Sequence, residues 1–299
     1  MDQSRGFLEL TRPVNAVAAG VLTFTGAFVA AGVSAPRPTA IAVAATVLAT
    51  GGGNAINDYF DRDIDAINRP DRPIPRGAIS PRSALACSVL LFAVAVALTL
   101  LLPLLAIGIA LLNLVALVAY TEVFKGRPGV GNALVAALTG STFLYGGAAV
   151  DGDLAPVVVL YALAASATMA REVLKDVEDV AGDREEGLRT LPIVLGERRA
   201  LVVAAAFVAA AVVASPLPYL RGTFGLPYLL VLAPAVAGMA AATYRSFDAP
   251  STAQRWLKAA MFAAAFAFIA GRAAGPTGGT TAAVRPVRPI TGQQPPGRR

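Results

Sequence analysis

The chain has 299 residues, of which 56% are hydrophobic and only 15% charged, with a net charge of +6. A soluble domain carries about 25% charged residues, so the composition excludes one and points to a chain dissolved in lipid, with a mean hydropathy of +0.63. The lack of histidine removes the commonest general base and transition-metal ligand. The single Cys87 excludes a disulfide or thiolate cluster, and the basic balance fits loops at an anionic lipid surface, not nucleic acid.

A membrane span needs about 20 apolar residues. The sequence predicts nine: 14–33, 39–60, 83–102, 104–121, 131–150, 155–174, 199–215, 226–244 and 255–273. The first is long and one of many, so it is not a cleaved leader. The second contains Gly51–Gly53, which lacks the Walker pattern of a phosphate loop and reads as close helix packing. Only Pro103 separates the third from the fourth. Beyond the fourth lie Lys125 and Arg127, read chiefly as a topology signal, with a lid closing over a substrate diphosphate as the alternative for both. Asn132 opens the fifth, to cap it or to line a cavity. Tyr120, Phe124 and Tyr145 are either interfacial anchors or wall residues. After the ninth span, residues 275–299 are rich in Pro, Gly and Thr and are expected to be a disordered tail on a single 1–274 transmembrane domain.

The basic residues orient the bundle. With the N-terminus cytoplasmic, the N-terminal segment and the loops after even-numbered spans hold 18 of the 25 Lys and Arg, whereas the odd loops hold Arg37 and Arg221 alone. The positive-inside rule favours that orientation. The chain is therefore expected in the cell membrane, multi-pass, with its N-terminus and charged loops on the cytoplasmic side.

Two acidic stretches end even-numbered spans. NDYFDRDIDAINRPDRPIPRG, from Asn57 to Gly77, holds Asp58, Asp61 and Asp65; KDVEDVAGDREEGLRTLP, from Lys175, holds Asp176, Asp179 and Asp183. The D-x-x-D-x-x-x-D spacing is the same, 118 residues apart and four spans apart, which predicts an internal repeat of two four-helix units with a ninth helix added. Offsets of 3, 4 and 7 put each trio on one helical face, and Asn57, Asp61 and Asp65 form a further i, i+4, i+8 stripe. Carboxylates this close, beside hydrocarbon, must be protonated, paired with cations or bound to metal. Pairing with the neighbouring arginines, or solvation as a loop face, are the alternatives to a metal site. Oxygen-only ligands suit a hard cation such as Mg²⁺, which binds one or two carboxylates plus substrate phosphates. Asp61, Asp63 and Asp65 are no calcium loop, because Ala66 and Arg72 stand where Gly and Glu are needed.

These stretches resemble the two aspartate-rich motifs of the UbiA superfamily of intramembrane prenyltransferases, over about the first 270 residues by topology. The resemblance implies an all-α membrane protein of nine transmembrane helices around a central cavity, with Mg²⁺-dependent transfer from a prenyl diphosphate. Carried over, Asn57, Asp58, Asp61 and Asp65 match the first metal and diphosphate motif, and Lys175, Asp176, Asp179 and Asp183 the second. Arg171 stands where the family often has Tyr. LELTRPVN with Arg12 and Asn15, REVLKDVEDVAGD around Arg171, and INRPDRPIPRG with Arg72 resemble the archaeal branch that makes the second ether bond of membrane lipids. That branch implies geranylgeranyl diphosphate as donor and geranylgeranylglyceryl phosphate as acceptor. The acceptor phosphate would need a cationic pocket, for which Arg171 is a candidate; its alternative is a salt bridge to Glu172 or an aspartate. An aromatic or chlorin acceptor within the same family, and a membrane transporter outside it, are the competing readings. A transporter would place its charges near the bilayer midplane, whereas here they sit at span ends. Oligomeric state is left open.

Overall fold

The computed structural model describes residues 2–124, 127–185 and 187–275, and every regular element among the described residues is helical. Helix α1 (Asp2–Thr11) leads into α2 (Pro13–Ala31). Then come α3 (Pro36–Phe60), a short α4 (Arg62–Asn68), α5 (Pro81–Thr99) and α6 (Leu104–Ala119), which runs on as a π turn, Tyr120–Phe124. Next are α7 (Val130–Ala149), α8 (Ala155–Glu178), and short α9 (Val180–Glu185) and α10 (Leu191–Leu195). The chain continues through α11 (Glu197–Ala214), a one-turn α12 (Leu217–Leu220), α13 (Leu226–Arg245) and α14 (Pro250–Ala274).

Proline sets most of the starts. Pro13, Pro36, Pro81 and Pro250 each occupy the first helical position, where the missing N–H costs nothing and the fixed φ is already helical. This explains why α3 and α5 begin two or three residues before the apolar runs themselves. Ser80 caps α5 by accepting from the Ser83 N–H at 3.1 Å.

A long helix stands at each of the nine predicted positions. Seven segments among the described residues are long and apolar enough to cross a membrane: α2, α3, α5, α8, α11 with α12, α13 and α14. Helix α6 has 16 residues, so it spans about 24 Å at 1.5 Å per residue. Helix α7 has the length, but Asn132, Ser141, Thr142 and its glycines dilute its hydropathy.

The bundle is held by close backbone approach, since apolar side chains gain little by moving from lipid to protein. Helix α2 packs on α3 and α7, α3 on α5, α7 on α8, and α8 on α11, while α14 packs on α13 and closes against α8 and α2. The tightest crossing joins α2 and α7. A Cβ on Gly26 would sit 2.0 Å from the Phe143 carbonyl oxygen, and one on Gly146 would sit 2.0 Å from that of Thr23.

Candidate active site

Both aspartate motifs produce the same local backbone. Helix α3 ends at Asp61, with φ −82° and ψ 3°, and the chain re-enters a helix as α4. Helix α8 ends at Asp179, with φ −92° and ψ 3°, and re-enters as α9. The hydrogen bonds across the breaks match too. The Asp61 N–H donates to Asn57 and the Asp65 N–H to Asp61, as the Asp179 N–H donates to Lys175 and the Asp183 N–H to Asp179. The equal spacing therefore encodes a broken helix, with the middle aspartate at each break.

In the first motif the loop after α4 folds back. Arg72 donates to Asp58 at 3.3 Å and is also ion-paired with Asp65, and Arg12 is ion-paired with Asp58. Asp58 and Asp65 are both buried, so two arginines offset charge that would otherwise be costly. Arg12 reaches Asp58 from a left-handed corner between α1 and α2, at φ 47° and ψ 67°, a conformation disfavoured outside glycine. Asn54 steadies that corner by donating to the Thr11 carbonyl at 3.0 Å. Arg76 donates to Glu9 at 2.5 Å and ties the same loop to α1; this bond is the main reason the Glu9 carboxyl is held below its ordinary value.

The second motif has different partners. Asn132 donates to Asp176 at 2.8 Å, so it neither caps α7 nor merely lines a wall. Lys175 and Asp179 are exposed, and Asp183 is half-buried with its carboxyl raised above the ordinary value, chiefly by burial. Tyr120 opens the π turn that ends α6, with its ring beside Gly131 of α7.

Two cavities lie within the bundle. The larger, about 760 Å³, runs between α2, α7, α8, α11, α13 and α14, from Arg12, Asn15, Arg171 and Lys258 at one end to Ser215 and Phe268 at the other. The smaller, about 230 Å³, lies between α3, α5, α6 and α7, and Thr50, Leu138 and Thr142 border both. Tyr145 belongs to the smaller one and shares a 2.9 Å hydrogen bond with Thr99.

The structure thus brings Asp58, Asp65, Arg12 and Arg72 together, and sets Asn15 and Arg171 on the large cavity. Arg171 also takes the salt bridge weighed against a substrate role, donating to Glu172 at 2.7 Å. Lys125 lies outside the described residues, as do residues 276–299 of the tail. No group of three or more carboxylates stands within reach of one ion among the described residues. The donor set still fits Mg²⁺, which keeps waters and needs one or two carboxylates besides substrate phosphate. Lys258 was not legible as a cavity residue, because it lies on the last helix, far in sequence from either motif.

The pattern of the UbiA prenyltransferase family matches residues 19–269. The digeranylgeranylglyceryl phosphate synthase of Natronomonas pharaonis is 75% identical over 274 residues, 92% of this chain and 99% of its own. That of Methanopyrus kandleri is 46% identical over 271 residues, 89% and 98% of the two chains. Among solved structures, one described as giving insights into digeranylgeranylglyceryl phosphate synthase in membranes superposes with a TM-score of 0.79 at 32% identity, over 91% of this chain and 99% of that one. A UbiA homologue from Archaeoglobus fulgidus, bound to GPP and Mg²⁺, shares the fold with a TM-score of 0.68 at 19% identity, over 88% and 99% of the chains. A helical bundle with two identically broken aspartate helices beside an apolar cavity, matched by this family over most of its length, belongs to the UbiA prenyltransferase family and is an integral membrane protein.

Proposed function

We infer that the chain transfers a geranylgeranyl group from geranylgeranyl diphosphate to the free hydroxyl of geranylgeranylglyceryl phosphate, forming the second ether bond of an archaeal lipid. The near full-length identity to synthases of that name carries the reading. The large apolar cavity with basic residues at one end supports it, because both substrates pair a long apolar chain with an anionic head.

The proposed site uses Asp58, Asp61 and Asp65 with Asp176, Asp179 and Asp183 as holders of Mg²⁺, and Asn57, Lys175 and Arg72 as contacts to the diphosphate. Bound Mg²⁺ would supply charge neutralisation for the leaving diphosphate. Lys175, exposed at the end of α8, adds a cation where that charge develops. The donor C1–O bond breaks, the acceptor oxygen bonds to C1, and its proton passes to an aspartate or to the departing diphosphate. The apolar walls keep water from the allylic cation. In this proposal all nine long helices cross the bilayer around the cavity, with the broken helices and the N-terminus on the cytoplasmic side. The matching breaks at Asp61 and Asp179 support a repeat of two four-helix units.

Membranes holding the chain, given labelled geranylgeranyl diphosphate with Mg²⁺, should label a double-ether lipid phosphate, and EDTA should abolish the label. Label in an aromatic acceptor instead would keep the family and overturn the acceptor. Failure to release diphosphate with any acceptor would restore the transporter reading.

A further inference from the structure

The basic end of the large cavity holds polar groups that the aspartate motifs leave unused. Three ionisable side chains line the cavity: Arg12 from the α1–α2 corner, Arg171 from α8 and Lys258 from α14. All are cations, and no carboxylate joins the lining. Arg12 is committed to Asp58. Arg171 gives one terminal nitrogen to Glu172, but its Nε is buried without a partner. One helical turn deeper on the same face, Thr168 is 2% exposed, and its hydroxyl is also without a partner. That is unlike other helical threonines of this chain. Thr25, Thr46, Thr99 and Thr243 each donate to the carbonyl four residues back. Buried polar atoms in native proteins are nearly always satisfied, so those left over call for an explanation. Lys258 has no ion pair among the described residues. Leu257 beside it shares a core cluster with Ala170 and Val173, on either side of Arg171, and this packing of α14 on α8 brings the two basic side chains to one cavity.

We propose that Lys258, Arg171 and Thr168 form the seat of the acceptor's phosphate, separate from the carboxylate motifs that take the donor's diphosphate. The proposal rests on the transfer reading above. A phosphate monoester is compact and doubly charged. It suits two cations and a hydroxyl with no metal between them, with Arg171 donating from its free Nε and Lys258 acting as a point charge. The acceptor's chain then follows the apolar lining toward Phe268, which leaves its free hydroxyl at the end nearer Arg12 and the first motif.

The test separates head-group recognition from packing. The purified chain, Lys258→Met, Lys258→Arg and Thr168→Val are assayed in one detergent at saturating donor and then at saturating acceptor. Losing one charged contact to phosphate should raise the acceptor KM of Lys258→Met about tenfold or more, with the donor KM and kcat unchanged. Lys258→Arg should recover most of the loss, and Thr168→Val should shift the same constant by less. Geranylgeranylglycerol, which lacks the phosphate, should compete with equal inhibition constants against wild type and Lys258→Met. An unchanged acceptor KM, a matching rise for the donor, or an equal weakening of the phosphate-free competitor would overturn the seat. A wild-type chain that makes no digeranylgeranylglyceryl phosphate would sink the underlying reading, and the seat with it.

Discussion

Arg72 is one side chain serving two buried carboxylates, Asp58 and Asp65, and is itself mostly covered. Removing one partner of a buried ion pair strands the other, at about 3–5 kcal/mol. Arg72→Ala should therefore lower the melting temperature in detergent as well as activity. Arg72→Lys should destabilise too, because a single ammonium lacks the planar fork that meets two carboxylates at once. A variant that lost only activity would show that the pairs contribute nothing to folding. The middle aspartates differ, since they stand at helix breaks and at the second motif Asp179 is exposed. Asp61→Ala and Asp179→Ala should abolish transfer, and Asp179→Ala should leave folding stability within about 0.5 kcal/mol of wild type, the usual range for exposed sites. Spacing alone made both trios legible. Arg72's position between two of them was not, because it depends on a loop folding back over α4. Of the two readings weighed for the carboxylates, arginine pairing is the one seen at the first motif, where Asp58 and Asp65 are ion-paired; the metal site belongs to the proposed function.

At the scale of elements, apolar runs and prolines located the long helices among the described residues, and the break between α5 and α6 fell where Pro103 foretold it. What the runs did not reveal was how the helices meet. Gly26 and Gly146 look like ordinary small residues of membrane helices, yet each faces a carbonyl oxygen of the other helix at a distance no Cβ tolerates. Gly146→Ala must push α7 away from α2, and Gly26→Ala must do the same from the other side. Both helices also border the large cavity. Each variant should lose detergent-resistant folding, measured by fluorescence-detected size exclusion, and the double variant should cost less than the sum, because one displaced crossing serves both. By contrast, Gly108→Ala on α6, where a Cβ would meet nothing within 4 Å, should be neutral. The equal aspartate spacing was legible at this scale, and the helix breaks at Asp61 and Asp179 are what it produces in the backbone.

At the scale of the molecule, the helices through Ala274 already enclose the cavity and both motifs. A chain ending at Gly275 should keep wild-type specific activity in membranes, and a large loss would assign the Pro/Gly-rich tail a role that its composition does not foretell. The cavity wall has one further property. Val14 and Phe262, on α2 and α14, line it and are 84% and 39% exposed. An accessible apolar wall of this kind suits a chamber that admits lipid from the surrounding hydrocarbon. Both substrates are lipids, and they reach such an opening by diffusing within the leaflet instead of crossing from water. The quantity that sets the rate is then crowding in two dimensions. Adding inert lipid at constant total substrate should slow turnover by surface dilution, whereas enlarging the aqueous volume should leave it unchanged.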